Sequence, residues 1–188
     1  MKRTILLLFV TAMTVGANAQ QTGSKGNIRG YGAGFTELTW VNGKTGMNIG
    51  AYGGVLINHK LLIGVSGSNV FFKQTVNGKK ENMQLNYYGL YSEYRIQPEQ
   101  PVHISIGLTG AMGWHENGLI NAEKSNSRDG DFVAVIQPKL AVNIRIAKFM
   151  QVQAFVSYRF TGNTNSTYYT HKNHNGVSAG ASLVFGGF

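Results

Sequence analysis

A long stretch of alternating apolar and polar residues, from Phe132 to Phe160, constrains the fold of this chain more than any other feature. Every even position from 132 to 146 is apolar, and so is every even position from 150 to 160. A period of two is typical of β-strands, because successive strand side chains point to opposite faces. Each run is far longer than the roughly five or six residues of an ordinary strand. The opposite faces are polar enough to hold Lys139 and Arg145, which suits a wall between lipid and a hydrated lumen.

The first 19 residues have the organisation of a secretory signal peptide. Basic residues at positions 2 and 3 precede an apolar run over residues 5–15 and a small-x-small site at 17–19. The run is too short to cross a bilayer as a helix. We expect cleavage after Ala19 and a single exported domain over residues 20–188.

Composition excludes several classes of function. The chain has no cysteine, so disulfide frameworks and thiol chemistry are ruled out. Without the basic residues of the leader, the formal net charge falls from +9 to +7. Such a charge on an exported protein favours contact with anionic lipid or lipopolysaccharide. The scattered cations of an exported chain predict no nucleic-acid partner.

Eight strand-like segments follow the leader, and short connections alternate with longer ones. The predicted strands are residues 28–40, 46–57, 61–74, 83–96, 102–115, 132–146, 150–160 and 176–188. The apolar face of the first strand changes between Phe35 and Leu38, which predicts a β-bulge there. The turns 58–60, 97–101 and 147–149 have odd lengths. Each joins two strands whose apolar faces are both at odd or both at even positions, as an antiparallel hairpin with an odd turn requires. The connections 41–45, 75–82, 116–131 and 162–175 are mostly longer, an asymmetry typical of outer-membrane barrels.

Aromatic residues cluster near the ends of the predicted strands, on the face assigned to lipid. This distribution predicts an interfacial girdle at each edge of a membrane. The members at the long-loop end are Trp40, Phe71, Trp114, Phe132 and Phe160, and those at the turn end are Tyr94 and Phe185.

Together these features resemble the small eight-stranded outer-membrane barrels of Gram-negative bacteria, the group of the OmpA transmembrane domain and the OmpX-like proteins. The resemblance covers residues 20–188 and rests on the leader, the alternating segments, the loop asymmetry and the terminal Phe188 of LVFGGF. It implies an all-β, antiparallel, up-and-down transmembrane barrel, with Phe188 as the signal read by the outer-membrane assembly machinery. Phe188 has the opposite parity to Phe185, so a twist or bulge is expected in the final residues.

Six charged residues fall on the face assigned to the lumen. An eight-stranded barrel is only wide enough for its own side chains, and buried charges need partners. We therefore expect a salt-bridge network that plugs the barrel, with a narrow path for small ions as the alternative. The six residues are Glu37, Glu93, Arg95, Lys139, Arg145 and Arg159.

Two histidine motifs contain residue types that occur in catalytic or metal sites. His103 and Ser105, with Glu93 on the neighbouring strand, are residue types of a hydrolase site and look distantly similar to the His-x-Ser of outer-membrane lipid A deacylases. Both fall on the inward face at the turn end, so polar filling of the lumen is expected instead. His171 and His174 lie in the last long loop without nearby carboxylates, so no metal site is expected.

The sequence therefore predicts a monomeric, non-enzymatic integral outer-membrane protein without a cofactor. Its expected partners are lipid, lipopolysaccharide, the assembly machinery and a surface ligand held by the external loops. The candidate loop contacts are Tyr168, Tyr169, His171, Lys172 and His174. Two alternatives stay open: a lipid A-modifying hydrolase, and a soluble exported barrel that binds a small apolar ligand. The second stays open because an alternating pattern does not reveal which face points inward.

Overall fold

In a computed structural model the described residues, 28–41, 44–76, 79–117, 132–162 and 175–188, form eight β-strands. The strands are β1 (Ile28–Val41), β2 (Lys44–Ile57), β3 (Leu61–Val76), β4 (Lys79–Ile96), β5 (Val102–Asn117), β6 (Phe132–Ala147), β7 (Met150–Gly162) and β8 (Gly176–Gly186). Within these ranges no helix is long and apolar enough to span a bilayer. The predicted leader and the His171 and His174 loop lie outside the described residues.

The strands close into a barrel in which each pairs antiparallel with its neighbours in the chain and β1 pairs with β8. This confirms the predicted fold. When the register is followed once around the barrel from Gly30, it returns to β1 at Trp40, ten residues further along the strand. With eight strands this stagger corresponds to a strand tilt of roughly 40°.

One end of the barrel, here called the turn end, carries Ile28, Gly186 and the turns 58–60, 97–101 and 148–149. Asn58 and His59 have φ values of 51° and 58°, and Lys60 N–H donates to Ile57 O at 3.0 Å, as in a tight hairpin turn with two left-handed residues. The predicted turn 147–149 is shorter than expected. Strand β6 continues to Ala147, which pairs with Met150. A bulge between Arg145 and Ala147 shifts the register there, so that Arg145 and the residues before it pair with β7 residues of equal parity.

At the opposite end, here called the loop end, two predicted loops are wrong. Strands β3 and β4 stay paired as far as Val76 and Lys79, and β1 and β2 as far as Val41 and Lys44. Each pair is joined by an Asn-Gly dipeptide, which favours a two-residue hairpin connection. The long connections 118–131 and 163–174 lie outside the described residues.

The predicted bulge in β1 is also wrong, since the register with β2 and β8 runs without a shift. The odd face of β1 points inward along its whole length. Tyr31 and Phe35 pack in the apolar cluster of the lumen, and Glu37 is buried further along. The apparent change of face arises because the lumen at the turn end is lined by aromatic side chains.

The outer surface of the barrel is apolar, and the interior holds the buried charged and polar side chains beside two apolar clusters. Leu90, Val65 and Leu108 on the outside are 71%, 64% and 48% exposed, whereas Arg95 and Arg159 on the inside are 1% and 0% exposed. A soluble barrel for an apolar ligand would need the reverse arrangement. The described residues therefore do not meet the condition for that alternative.

Glycine allows a close approach of two strands at Gly54 and Gly64, which lie opposite each other in the β2–β3 register. A Cβ on Gly64 would lie 2.9 Å from Gly54 Cα, whereas a Cβ on Gly34 would have no atom within 4 Å. We expect Gly64→Ala to lower the free energy of unfolding by about 1–3 kcal/mol, because backbone must move to admit the methyl group. Urea unfolding of the refolded barrel measures the loss, with Gly34→Ala as control. Equal effects of the two substitutions would contradict the close approach.

Candidate functional site in the barrel lumen

The lumen is filled by two apolar layers and two polar clusters. The apolar layer at the turn end contains Tyr31, Ala33, Tyr52, Leu56, Leu62, Tyr91 and Val184. The layer at the loop end contains Val41, Val70, Leu85, Tyr87, Ala111, Val133 and Val135. The polar clusters, named here after their carboxylates Glu93 and Glu37, bridge strands that are distant in the chain.

The Glu93 cluster holds a buried ion pair. Lys139 Nζ lies 3.0 Å from Glu93 Oε2, and Arg95 Nε lies 3.7 Å from Glu93 Oε1. Tyr91 OH donates to Glu93 Oε2, and Gln153 Nε2 donates to the same oxygen at 3.1 Å. These contacts join β4, β6 and β7 across the lumen, and they supply the partners that a buried carboxylate requires.

Aromatic rings surround the ammonium group of Lys139. Its Nζ lies 4.8 Å from the ring centre of Tyr52, 4.7 Å from that of Tyr91 and 5.2 Å from that of Phe155, within the range of cation–π attraction. It also donates to Gln153 Oε1 at 2.8 Å. The charge of the lysine is thus balanced by Glu93, and its side chain packs among the aromatic rings.

The polar contacts continue from Gln153 towards the turn end. Gln153 Nε2 donates to Asn143 Oδ1 at 2.8 Å, and Asn143 Nδ2 donates to Ser105 Oγ at 2.8 Å. His103 Nδ1 lies 3.3 Å from Gln100 O, and its Nε2 has no hydrogen-bond partner among the described residues. Both His103 and Ser105 are buried inside the barrel. They form no base–nucleophile pair with one another in the described part of the chain.

The Glu37 cluster occupies the next level towards the loop end. Glu37 Oε1 accepts hydrogen bonds from Asn48 Nδ2 at 2.6 Å and Gln137 Nε2 at 3.2 Å, and Ser157 Oγ donates to Oε2 at 3.2 Å. Further up, Arg159 Nη2 donates to Thr39 Oγ1 at 3.0 Å. The carboxylate thus links β1, β2, β6 and β7.

A small cavity separates the two clusters. Its volume is about 30 Å³, and Phe35, Tyr52, Tyr87, Gln137 and Lys139 contribute to its lining. That is room for one or two water molecules. Among the described residues no group of histidine, aspartate and glutamate side chains could hold a metal ion. The arrangement fills the lumen with side chains and leaves little space for a ligand.

Arg145 and Phe188 lie at the turn-end mouth. Arg145 Nη2 donates to Pro98 O at 2.6 Å, so this predicted lumen charge contacts the β4–β5 turn. Phe188 is half-buried, with its ring centre 4.6 Å from Arg95 Cζ. Phe185 faces outward. The role of Phe188 in assembly stays a prediction.

The predicted girdle residues for which side chains are described all lie on the outer face. They are Trp40, Phe71, Phe160, Tyr94 and Phe185. The side chains of Trp114 and Phe132 lie outside the described residues, although the two residues are paired in the β5–β6 register.

No protein-family model and no curated protein sequence matches the chain. Among solved structures, neisserial surface protein A (NspA) superposes with a TM-score of 0.59 and 14% identity, over 86% of this chain and 97% of that one. The N-terminal β-barrel domain of OprF from Pseudomonas aeruginosa superposes with a TM-score of 0.52 and 11% identity, over 86% and 99%. At these identities the likeness is one of fold. The chain has the closed eight-stranded fold of the small outer-membrane β-barrels.

Proposed function

We propose that the protein is a non-enzymatic integral protein of the outer membrane, exported by its leader, whose barrel anchors surface-exposed loops. The observation that carries this proposal is the polarity of the barrel wall. Large apolar side chains such as Leu90 and Leu108 stand exposed on the outside, while the charges of the Glu93 and Glu37 clusters are buried inside. Lipid is the surrounding in which this arrangement is stable.

The dimensions of the wall support the same proposal. Strands β1 and β2 each have 14 residues, which at a rise of ~3.3 Å and a tilt of ~40° span about 35 Å. This covers a hydrocarbon core of about 30 Å. Trp40, Phe71 and Phe160 at the loop end, and Tyr94 and Phe185 at the turn end, would lie at the two interfaces.

The filled lumen favours an anchor over a pore. Two bonded polar clusters occupy the lumen, and the cavity between them has a volume of only about 30 Å³. Other molecules would then bind at the ends of the barrel and not inside it. We infer that the loop end faces outward and that its long connections, 118–131 and 163–174, meet lipopolysaccharide or a surface ligand.

Membrane fractionation combined with gel migration before and after boiling tests the proposal. We expect the protein in the outer-membrane fraction, soluble only with detergent, and a shift of its band on boiling as the barrel unfolds. An epitope inserted in residues 118–131 should be accessible on intact cells, with an insertion in the 97–101 turn as control. Recovery of the protein in the soluble periplasmic fraction, with no band shift on boiling, would contradict the proposal.

A further inference from the structure

The turn-end mouth of the barrel contains a cavity beside the contact of Arg145 with Pro98. Its volume is about 210 Å³, and it is lined by Arg29, His59, Pro98, Glu99, Arg145 and Phe188. These residues come from β1, β6, two turns and the C-terminal segment, so the cavity lies on the axis of the barrel. We call it the vestibule.

Two guanidinium groups face the vestibule with unused hydrogen-bonding capacity. Arg145 donates to Pro98 O through Nη2, but its Nε is buried without a hydrogen-bond partner in the described part of the chain. Arg29 makes a long contact of 3.4 Å from Nη1 to Gly187 O. Neither Arg29 nor Arg145 forms an ion pair with a carboxylate of the described residues, although Glu99 lines the same cavity.

The charges around the vestibule favour an anion. The turn-end rim carries the cations Arg29, Lys60, Arg145 and Lys148. The acidic side chain that lines the cavity is Glu99. The four cations exceed this single carboxylate.

Further donors lie behind the floor of the vestibule. The ring of Phe188 covers Arg95, whose Nε and Nη2 have no hydrogen-bond partner among the described residues. Gln151 is fully buried, and neither polar atom of its amide has a described partner. Gln151 lies opposite Arg145 in the β6–β7 register. Buried polar groups normally have protein or water partners, so we expect water or another polar molecule beside these groups.

We propose that the vestibule is a binding site for an oxyanion of phosphate type, held between Arg29 and Arg145. Guanidinium groups bind phosphate oxygens through charge-assisted, often bidentate hydrogen bonds, and the cavity is large enough for a group of this size. The phosphate belongs either to a small molecule in solution or to the headgroup of a lipid at the mouth. In the proposed orientation the vestibule opens towards the periplasm, but binding itself does not depend on that orientation.

Calorimetric titration of inorganic pyrophosphate into the folded full chain in zwitterionic detergent tests the site. Loss of one charge-assisted contact should weaken binding about tenfold or more, so Arg29→Gln and Arg145→Gln should each show this loss. Glu99→Gln should bind more tightly, because it removes a repelling carboxylate. Lys148→Gln is the matched control, a rim cation that does not line the cavity, and should change the affinity less than about threefold. Band migration before boiling verifies that each variant is folded.

Dihexanoyl phosphatidic acid, titrated in parallel, distinguishes the two sources of phosphate. An affinity well above that of pyrophosphate, with the same dependence on both arginines, assigns the site to a lipid headgroup. Equal or weaker binding assigns it to a free anion. Absence of pyrophosphate binding, or equal affinities in Arg29→Gln, Arg145→Gln and Lys148→Gln, would overturn the proposal.

Discussion

Replacing Lys139 with methionine should lower the free energy of unfolding of the barrel by about 3–5 kcal/mol. Methionine has nearly the length of lysine and keeps the apolar contact with the rings of Tyr52, Tyr91 and Phe155. The substitution removes the ammonium group that lies 3.0 Å from Glu93. Glu93 then remains a buried carboxylate, with Arg95 3.7 Å away as its nearest described cation.

Urea unfolding in lipid vesicles measures this effect, and a double-mutant cycle isolates the pair. Glu93→Gln removes the charge at nearly constant volume. If the pair is coupled, Lys139→Met combined with Glu93→Gln should be less destabilised than the sum of the single variants by about 1–3 kcal/mol. Lys148→Met, in an exposed turn, should stay within about 0.5 kcal/mol of the parent protein. Additive single effects, or a loss below about 1 kcal/mol for Lys139→Met, would show that the ion pair contributes little.

The expected loss follows from where the ion pair lies in the fold. Glu93 belongs to β4, Lys139 to β6 and Gln153 to β7, so one set of contacts joins strands up to three positions apart around the barrel. The Glu37 cluster does the same between β1 and β6. The Glu93 and Glu37 clusters connect strands across the lumen at two heights, which should make the barrel rigid and keep the loop-end strands in fixed positions. This is the physical link between the buried charges and the proposed role as an anchor.

The sequence predicts the strands best along the middle of the barrel wall. There each strand has one apolar and one polar face, and the alternation identifies both. Alternation is required only where the two faces of a strand meet different surroundings. Residues 73–82 show no alternation, so the sequence does not predict the continued pairing of β3 with β4 up to Val76 and Lys79.

The lumen was only partly predictable for a related reason. Alternation groups residues by face, but it does not show how side chains of different strands pack against each other inside the barrel. Tyr91 shares its parity with Glu93, and Phe35 shares its parity with Glu37. That shared parity was the available signal that these rings line the lumen. The cage around Lys139 also depends on Phe155 and Tyr52, which only the three-dimensional register brings together.

Arg145 shows the limit of face assignment at a strand end. It lies on the inward face, yet it contacts Pro98 O in the β4–β5 turn, because a long side chain at the rim reaches the neighbouring turn. The vestibule likewise combines residues from separate turns and both ends of the described chain. Such a grouping depends on closure of the barrel and has no local signature in the sequence.

Arginine in place of Leu108 should destabilise the barrel in lipid by about 2–4 kcal/mol, whereas arginine in place of Val102 should cost only about 0–1 kcal/mol. Both residues belong to β5 and point outward, with exposures of 48% and 54%. Leu108 lies near the middle of the wall and Val102 at its turn end, so the pair compares the same substitution at two depths. In the middle an arginine must be solvated within hydrocarbon, while at the edge it reaches the headgroups.

Equilibrium urea unfolding of both variants in lipid vesicles gives the difference directly. The comparison separates a lipid-facing wall from a water-facing one, because an exposed leucine on a soluble barrel could be replaced by arginine within about 0.5 kcal/mol. A depth-dependent loss would therefore support the membrane assignment independently of where the protein fractionates. If Leu108→Arg and Val102→Arg were equally tolerated, the apolar outer face would need a different explanation, such as burial against another protein. The pair of variants tests the surroundings of β5 directly, and the other seven strands have the same pattern of exposed apolar side chains.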